Sequence, residues 1–167
     1  QRAHDNQLFE KVMSVNLTGT FNLSSQAALG MAALSTVNES GERGVIINTT
    51  SIASYEGQIG QLAYSASKAA LNQLMRVLSM EWGSDGIRLN TLHPNAVFDT
   101  SIWTDDVLKY RAESYGLSVD DYKSNNILRV EIKSSDVSEL AAEMCGSLFA
   151  KTTAAQIPVD GGNERVI

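Results

Sequence analysis

Gly44-Val45-Ile46-Ile47-Asn48-Thr49, then Ser51, then Ala63-Tyr64-Ser65-Ala66-Ser67-Lys68 is the stretch whose reading decides the fold. The β-branched run Val45-Ile46-Ile47-Asn48 has the length and composition of a buried parallel strand. Residues 51–61 are small, polar and rich in glycine, which predicts a loop at the C-terminal end of that strand, where open α/β sheets present their ligands. From Ala63 to Trp82, the apolar residues Ala66, Ala69, Ala70, Leu74, Val77 and Leu78 form one helical stripe, and Gly83 and Gly86 punctuate its end.

Working outward, the same alternation continues. Upstream, Phe9, Val12, Met13, Leu17, Phe21, Ala28 and Met31 keep near-helical spacing and predict a helix from Leu8 to about Leu34, closed by turn residues between Ser35 and Gly44. Downstream, Ile87-Arg88-Leu89-Asn90-Thr91-Leu92 reads as a strand halted by Pro94. The segment Thr104 to Asn126 predicts two short helices that cover a cleft. Ser135-Asp136 predicts the cap of a helix through Phe149, and a last strand runs from Ala155 to Val159 before Asp160-Gly161-Gly162. Helices alternating with strands in this order predict an α/β fold, with three strands parallel and joined by right-handed crossovers. No internal repeat or low-complexity linker interrupts them, so residues 1–167 read as one piece of one domain.

Composition narrows the function classes. A chain of 167 residues with 43% apolar positions can bury an ordinary core. Its formal charge of −6 comes without a basic stripe, which argues against a nucleic-acid partner. No apolar run is long enough to span a membrane and the polar start is unlike a secretory signal, so a cytoplasmic location is expected. Cys145 is the only cysteine. It allows neither an internal disulfide nor a cysteine-built zinc site, and in an apolar helical pattern it reads as a core thiol. The acidic pairs Asp105-Asp106 and Asp120-Asp121 lack histidine or cysteine at ligand spacing and read as solvated surface, so no metal site is expected. His93, beside Pro94, reads as a loop residue rather than a catalytic base, and Trp103 as core or cleft wall.

The chemistry concentrates in Ser51, Tyr64 and Lys68. Tyrosine and lysine at i and i+4 share a helix face. A free phenol, with a reference pKa of about 10, is a poor proton shuttle at neutral pH, and a neighbouring ammonium favours its ionised form. Tyr64 is thereby a candidate acid/base. A hydroxyl at Ser51, presented from the preceding loop, can grip the same substrate oxygen.

With these residues in place the chain resembles the short-chain dehydrogenase/reductase family, whose marks are a helix asparagine, a serine and a Tyr-x-x-x-Lys element. Val15-Asn16-Leu17-Thr18-Gly19-Thr20-Phe21 is similar to the family's helix motif, and the four marks fall on Asn16, Ser51, Tyr64 and Lys68. The resemblance implies a Rossmann-like doubly wound parallel sheet, incomplete because the N-terminal strands and the glycine-rich turn are absent. It implies hydride exchange between NAD or NADP and a small alcohol or carbonyl compound. By the same likeness Tyr64 is the general acid/base, Ser51 orients the carbonyl, Lys68 modifies the tyrosine and anchors the cofactor ribose, and Asn16 completes a proton relay through water to Lys68. Asp160-Gly161-Gly162 resembles the family's structural C-terminal strand ending.

Two narrower likenesses divide the chain. Phe9 to Arg88 resembles the 3-hydroxyacyl-CoA dehydrogenases of the family, which implies that Gln58 faces substrate. Asn90 to Ile167 resembles the dehydrogenase part of bifunctional sugar-phosphate aldolase/dehydrogenases, through Pro94-Asn95-Ala96-Val97-Phe98-Asp99-Thr100 and the ending Pro158-Val159-Asp160-Gly161-Gly162-Asn163. Here Asn95 stands where the family has glycine, and asparagine tolerates a left-handed backbone that would preserve the turn. Val97 and Thr100 are implied to contact the carboxamide end of the cofactor. The two long helices are implied to build a homodimer or homotetramer. The residue choosing NAD over NADP normally follows the family's second strand, which has no counterpart here. The alternative expectation is a catalytically inactive remnant that serves as a structural or oligomerisation module.

Overall fold

The computed structural model describes residues 5–57 and 59–163. Asp5 caps the first helix by accepting a hydrogen bond from the Gln7 backbone at 3.0 Å, and α1 spans Asn6–Met13. The helix then widens into a π-helical segment, Ser14–Gly19, and resumes as α2, Thr20–Ala32. The predicted long helix is therefore present but carries an insertion that spacing did not reveal. π-Turns displace carbonyls from the regular ladder, and here the Thr20 hydroxyl donates to the Asn16 carbonyl at 2.7 Å.

The strands are β1, Gly44–Thr49; β2, Ile87–Pro94; and β3, Gln156–Val159. They form one parallel sheet in the order β1-β2-β3, with Gly44 opposite Ile87 at one end and Pro94 opposite Val159 at the other. Helix α3, Leu62–Trp82, connects β1 to β2, while α4, Asp105–Ser114, α5, Val119–Lys123, and α6, Ser134–Cys145, lie between β2 and β3. The turn from α3 into β2 requires glycine at position 86. Its φ is +77°, and a Cβ there would collide with the Gly41 carbonyl oxygen.

Strand periodicity sorts the core. Ile87 and Leu89 project to one face, where they are buried with Ala28 of α2 and Leu71, Met75 and Leu78 of α3; Ile46, Leu74 and Trp82 pack against them. Arg88 projects to the other face, where its guanidinium donates to the Met144 carbonyl of α6 at 3.2 Å and pairs with the Glu42 carboxylate at 3.0 Å. That hydrogen bond from Arg88 holds the Glu42 carboxyl below its usual range. Helices on both faces of a parallel sheet make this a doubly wound, Rossmann-like arrangement, represented by part of the full fold.

Several local expectations need correction. β1 is half-buried rather than fully buried, because its outer edge pairs with no strand among the described residues; β2, between its two neighbours, is buried throughout. β2 also runs through Pro94 instead of halting before it, since a proline at the last strand position sacrifices little of the ladder. His93 is consequently a strand residue and not a loop residue. Ser135 does not cap α6: the Lys133 backbone donates to the Asp136 carboxylate at 2.7 Å, and Ser134 donates from its backbone and hydroxyl to Asp99 at 2.8 and 2.6 Å. The helix stops at Cys145, before Gly146, and a separate short turn covers Ser147–Phe149. Cys145 is exposed, not core. Met144 takes the buried position, and the next residue lies about 100° further round the helix. Trp103 joins an aromatic cluster, its ring 4.9 Å from Phe98 and 6.3 Å from Tyr122. No helix among the described residues is long and apolar enough to cross a membrane.

Candidate active site

The parallel sheet brings the C-terminal ends of β1 and β2 together, and the candidate residues gather there. Tyr64 and Lys68 lie one turn apart at the start of α3. The Lys68 ammonium is 5.7 Å from the centre of the Tyr64 ring and donates to the carbonyl of Thr49, the last residue of β1, at 3.0 Å. Lys68 is half-buried, and burial pulls its pKa below the ordinary lysine value. Partial removal from water also strengthens the field that the ammonium exerts on its neighbour. The Tyr64 side chain remains accessible, with 37% of the residue exposed.

Ser51 follows β1 in extended backbone and caps the short turn Ile52–Ser54, its hydroxyl accepting from the Ala53 backbone at 3.2 Å. The loop is fastened to β2 at Thr50, whose backbone and hydroxyl both donate to the Leu92 carbonyl, at 2.8 and 3.1 Å. Lys68 thus grips the chain two residues before Ser51, which brings the serine segment and the tyrosine–lysine pair to the same end of the sheet.

Asn16 sits in the π segment. Its amide donates to the Ser67 hydroxyl at 3.0 Å, and that hydroxyl donates to the Tyr64 carbonyl at 2.7 Å. The asparagine therefore joins α3 at the residue beside Lys68 rather than contacting Lys68 itself. Ser67, completely buried, links Asn16 to α3 and is not among the residues singled out from the sequence; its position one residue before the lysine is the available signal.

The remaining candidates are less central. Val97 and Thr100 share one tight turn after β2, in which the Thr100 backbone and hydroxyl donate to the Val97 carbonyl at 3.3 and 2.8 Å. Asn95 does not need the left-handed conformation anticipated for it: among described non-glycine residues only Arg129 and Ala154 have positive φ. Gln58 lies outside the described residues. His93 is fully buried, stacked on Tyr55 at 4.8 Å, with ring nitrogens 3.3 Å from the Ser54 hydroxyl and 3.0 Å from the Thr91 hydroxyl. Burial pushes its pKa down to about 4, so it is neutral at physiological pH.

A cavity of about 180 Å³ opens beside this end of the sheet, with Ile52, Asn95, Ala96, Phe98, Arg111 and Tyr122 among its walls. Helices α4 and α5 flank this cavity through Arg111 and Tyr122. Tyr64, Lys68 and Ser51 are not among its lining residues, although Ile52 is Ser51's neighbour. The Tyr122 hydroxyl raises the pKa of Arg111 above the ordinary arginine value.

Comparison with known proteins bears on the family and the fold. The 3-hydroxyacyl-CoA dehydrogenase type-2 of Drosophila melanogaster is 42% identical over 98 residues, which are 59% of this chain and 38% of that protein. The chain therefore matches about two fifths of the length of such curated relatives. The crystal structure of 3-hydroxyacyl-CoA dehydrogenase type-2 from Mycobacterium avium superposes with a TM-score of 0.81 at 29% identity, covering 96% of this chain and 58% of that one. A 4-hydroxyisoleucine dehydrogenase complexed with NADH gives a TM-score of 0.75 at 25% identity, covering 98% and 62% of the two chains. The sequence model of the short chain dehydrogenases matches residues 1–110. On the strength of that match, together with the parallel sheet and the residues at its C-terminal end, the chain belongs to the short-chain dehydrogenase family.

Proposed function

We propose that this chain carries the acid/base portion of an NAD- or NADP-dependent oxidoreductase that interconverts a secondary alcohol and a ketone or aldehyde. The observation that carries the reading is the half-buried Lys68 ammonium, held against the Tyr64 ring and fastened to the Thr49 carbonyl beside the Ser51 loop. A phenol next to a desolvated cation is suited to proton exchange, because the cation stabilises the charge left when the proton departs.

In the reducing direction Tyr64 gives its proton to the substrate oxygen and Lys68 stabilises the resulting phenolate. Ser51 donates a hydrogen bond to the same oxygen and orients it. Asn16, through Ser67, holds the helix turn that bears the tyrosine, and a relay from Asn16 to Lys68 would run through water. In the oxidising direction each proton moves in reverse. The Lys68 ammonium and the Tyr64 hydroxyl would hold ribose hydroxyls of a bound nucleotide, and the turn from Val97 to Thr100 would meet its carboxamide end. When bound, the nicotinamide supplies or accepts the hydride at the substrate carbon.

The favoured substrate class is a 3-hydroxyacyl-CoA, the class that the relatives' names state, with small hydroxyaldehydes as the competing class. A cytoplasmic homodimer or homotetramer completes the reading, assembled through the long helices, on which Leu8, Leu23, Leu29 and Met80 are exposed. The test is a fluorescence titration of the purified protein with NADH and with NADPH, followed by turnover assays with acetoacetyl-CoA and with small hydroxyaldehydes. Saturable binding of one nucleotide and turnover of one substrate class are expected. Absence of saturable binding to either nucleotide would favour the inactive structural module instead.

A further inference from the structure

Tyr64, Lys68 and Asn72 stand at successive i+4 positions along α3, so one face of the helix carries all three. The first two belong to the site already described. Asn72 is buried, with 6% of the residue exposed, and its amide nitrogen donates to the Ser54 hydroxyl at 2.7 Å. That hydroxyl in turn donates to the Ser51 carbonyl at 2.6 Å. On its other side stands the neutral ring of His93, with Nδ1 at 3.3 Å.

Helix α3 therefore holds the loop after β1 at two points: Lys68 on the Thr49 carbonyl, and Asn72, through Ser54, on the Ser51 carbonyl. The first strap fixes where the loop begins and the second fixes Ser51 itself, relative to the helix that bears Tyr64.

The cost of the second strap argues against a purely packing role. The Asn72 carbonyl oxygen is buried without a hydrogen-bond partner. An apolar side chain of similar size would avoid that penalty, because an unsatisfied buried acceptor costs more than a single neutral hydrogen bond returns. What asparagine adds here, and leucine could not, is a donor aimed at Ser54.

We propose that Asn72 and Ser54 are positioning residues: they set the distance and angle between the Ser51 hydroxyl and Tyr64 and touch no reacting atom. The proposal rests on the acid/base reading of Tyr64 and Ser51. It predicts a loss in turnover rather than in substrate affinity, since orientation is felt most strongly in the transition state.

The test uses Ser54→Ala, Ser54→Thr and Asn72→Leu in the whole protein, beside Tyr64→Phe. Two readouts are followed: amide hydrogen exchange of residues 51–55, and kcat and KM for acetoacetyl-CoA with the nucleotide that binds. Ser54→Ala is expected to speed exchange at residues 51–55 by about tenfold while α3 stays protected. It is also expected to lower kcat by about tenfold or more with KM within about threefold. Asn72→Leu should do the same in part, and Ser54→Thr, which keeps the hydroxyl, should restore both readouts.

Unchanged exchange in both Ser54→Ala and Asn72→Leu would overturn the strap. So would unchanged kcat in those variants while Tyr64→Phe is inactive, or a loss in Ser54→Thr equal to that in Ser54→Ala. If exchange responds but Tyr64→Phe turns over normally, the strap stands as a structural link, and it is the acid/base reading beneath the proposal that is overturned, taking the catalytic role of the strap with it.

Discussion

Tyr64→Phe is expected to reduce turnover by about 10²–10⁴-fold, the range that a positioned general acid/base contributes. Cofactor affinity should change by no more than about a few-fold, because the substitution removes one oxygen and leaves the Lys68 ammonium in place. The fold should be indifferent. Tyr64 is more than a third exposed and lies outside the cluster formed by Ala28, Leu71, Met75, Leu78, Ile87 and Leu89, so no cavity opens. Steady-state kinetics, nucleotide titration and thermal melting on the same preparation separate these effects. Retained turnover, with binding and melting unaltered, would remove Tyr64 from its role.

Lys68→Ala is expected to damage two properties together. The ammonium lies 5.7 Å from the centre of the Tyr64 ring and donates to the Thr49 carbonyl. Its loss removes the charge that stabilises the phenolate and releases the loop leading to Ser51. Turnover should fall by about 10²-fold or more, comparable to removal of a preorganised electrostatic contact in other active sites. Nucleotide binding should weaken by about tenfold, or about 1.4 kcal/mol, if the ammonium holds a ribose hydroxyl. Lys68→Met keeps much of the apolar stem and should reproduce both losses, which distinguishes charge from packing. If turnover falls while nucleotide affinity is unchanged, the lysine acts on the tyrosine alone and another group anchors the ribose.

The elements that proved legible in the sequence are those whose pattern is local. β1 and α3 follow from a β-branched run and a long apolar stripe, and the parallel order follows from their alternation with the other helices and strands. The features missed are those set by contacts distant in sequence. Asn16 could be picked out only by its resemblance to a family motif, and its partner Ser67 lies 51 residues away. At the start of α6 the local expectation of Ser135-Asp136 holds for Asp136, which accepts from the Lys133 backbone, while the second clamp comes from Asp99, 35 residues upstream of Ser134, and not from Ser135. His93 was misread because Pro94 seemed to close the strand, whereas pairing with β3 carries β2 through the proline. Cys145 directly follows Met144, and the helical turn that buries Met144 carries the thiol to solvent, so an apolar setting alone does not make it core. The strap from Asn72 was invisible for the same reason: an asparagine on an apolar helix gains meaning only when Ser54 is seen opposite it.

Whether Ser51 and Tyr64 act on one oxygen can be measured directly by determining the structure of the protein with a bound nicotinamide nucleotide and a carbonyl-bearing substrate analogue. Both hydroxyls are expected about 2.6–3.2 Å from the same analogue oxygen, with the Lys68 ammonium still beside the tyrosine. Side chains of Ser51 and Tyr64 diverging to separate openings, with no atom of the analogue within reach of both, would contradict the assignment.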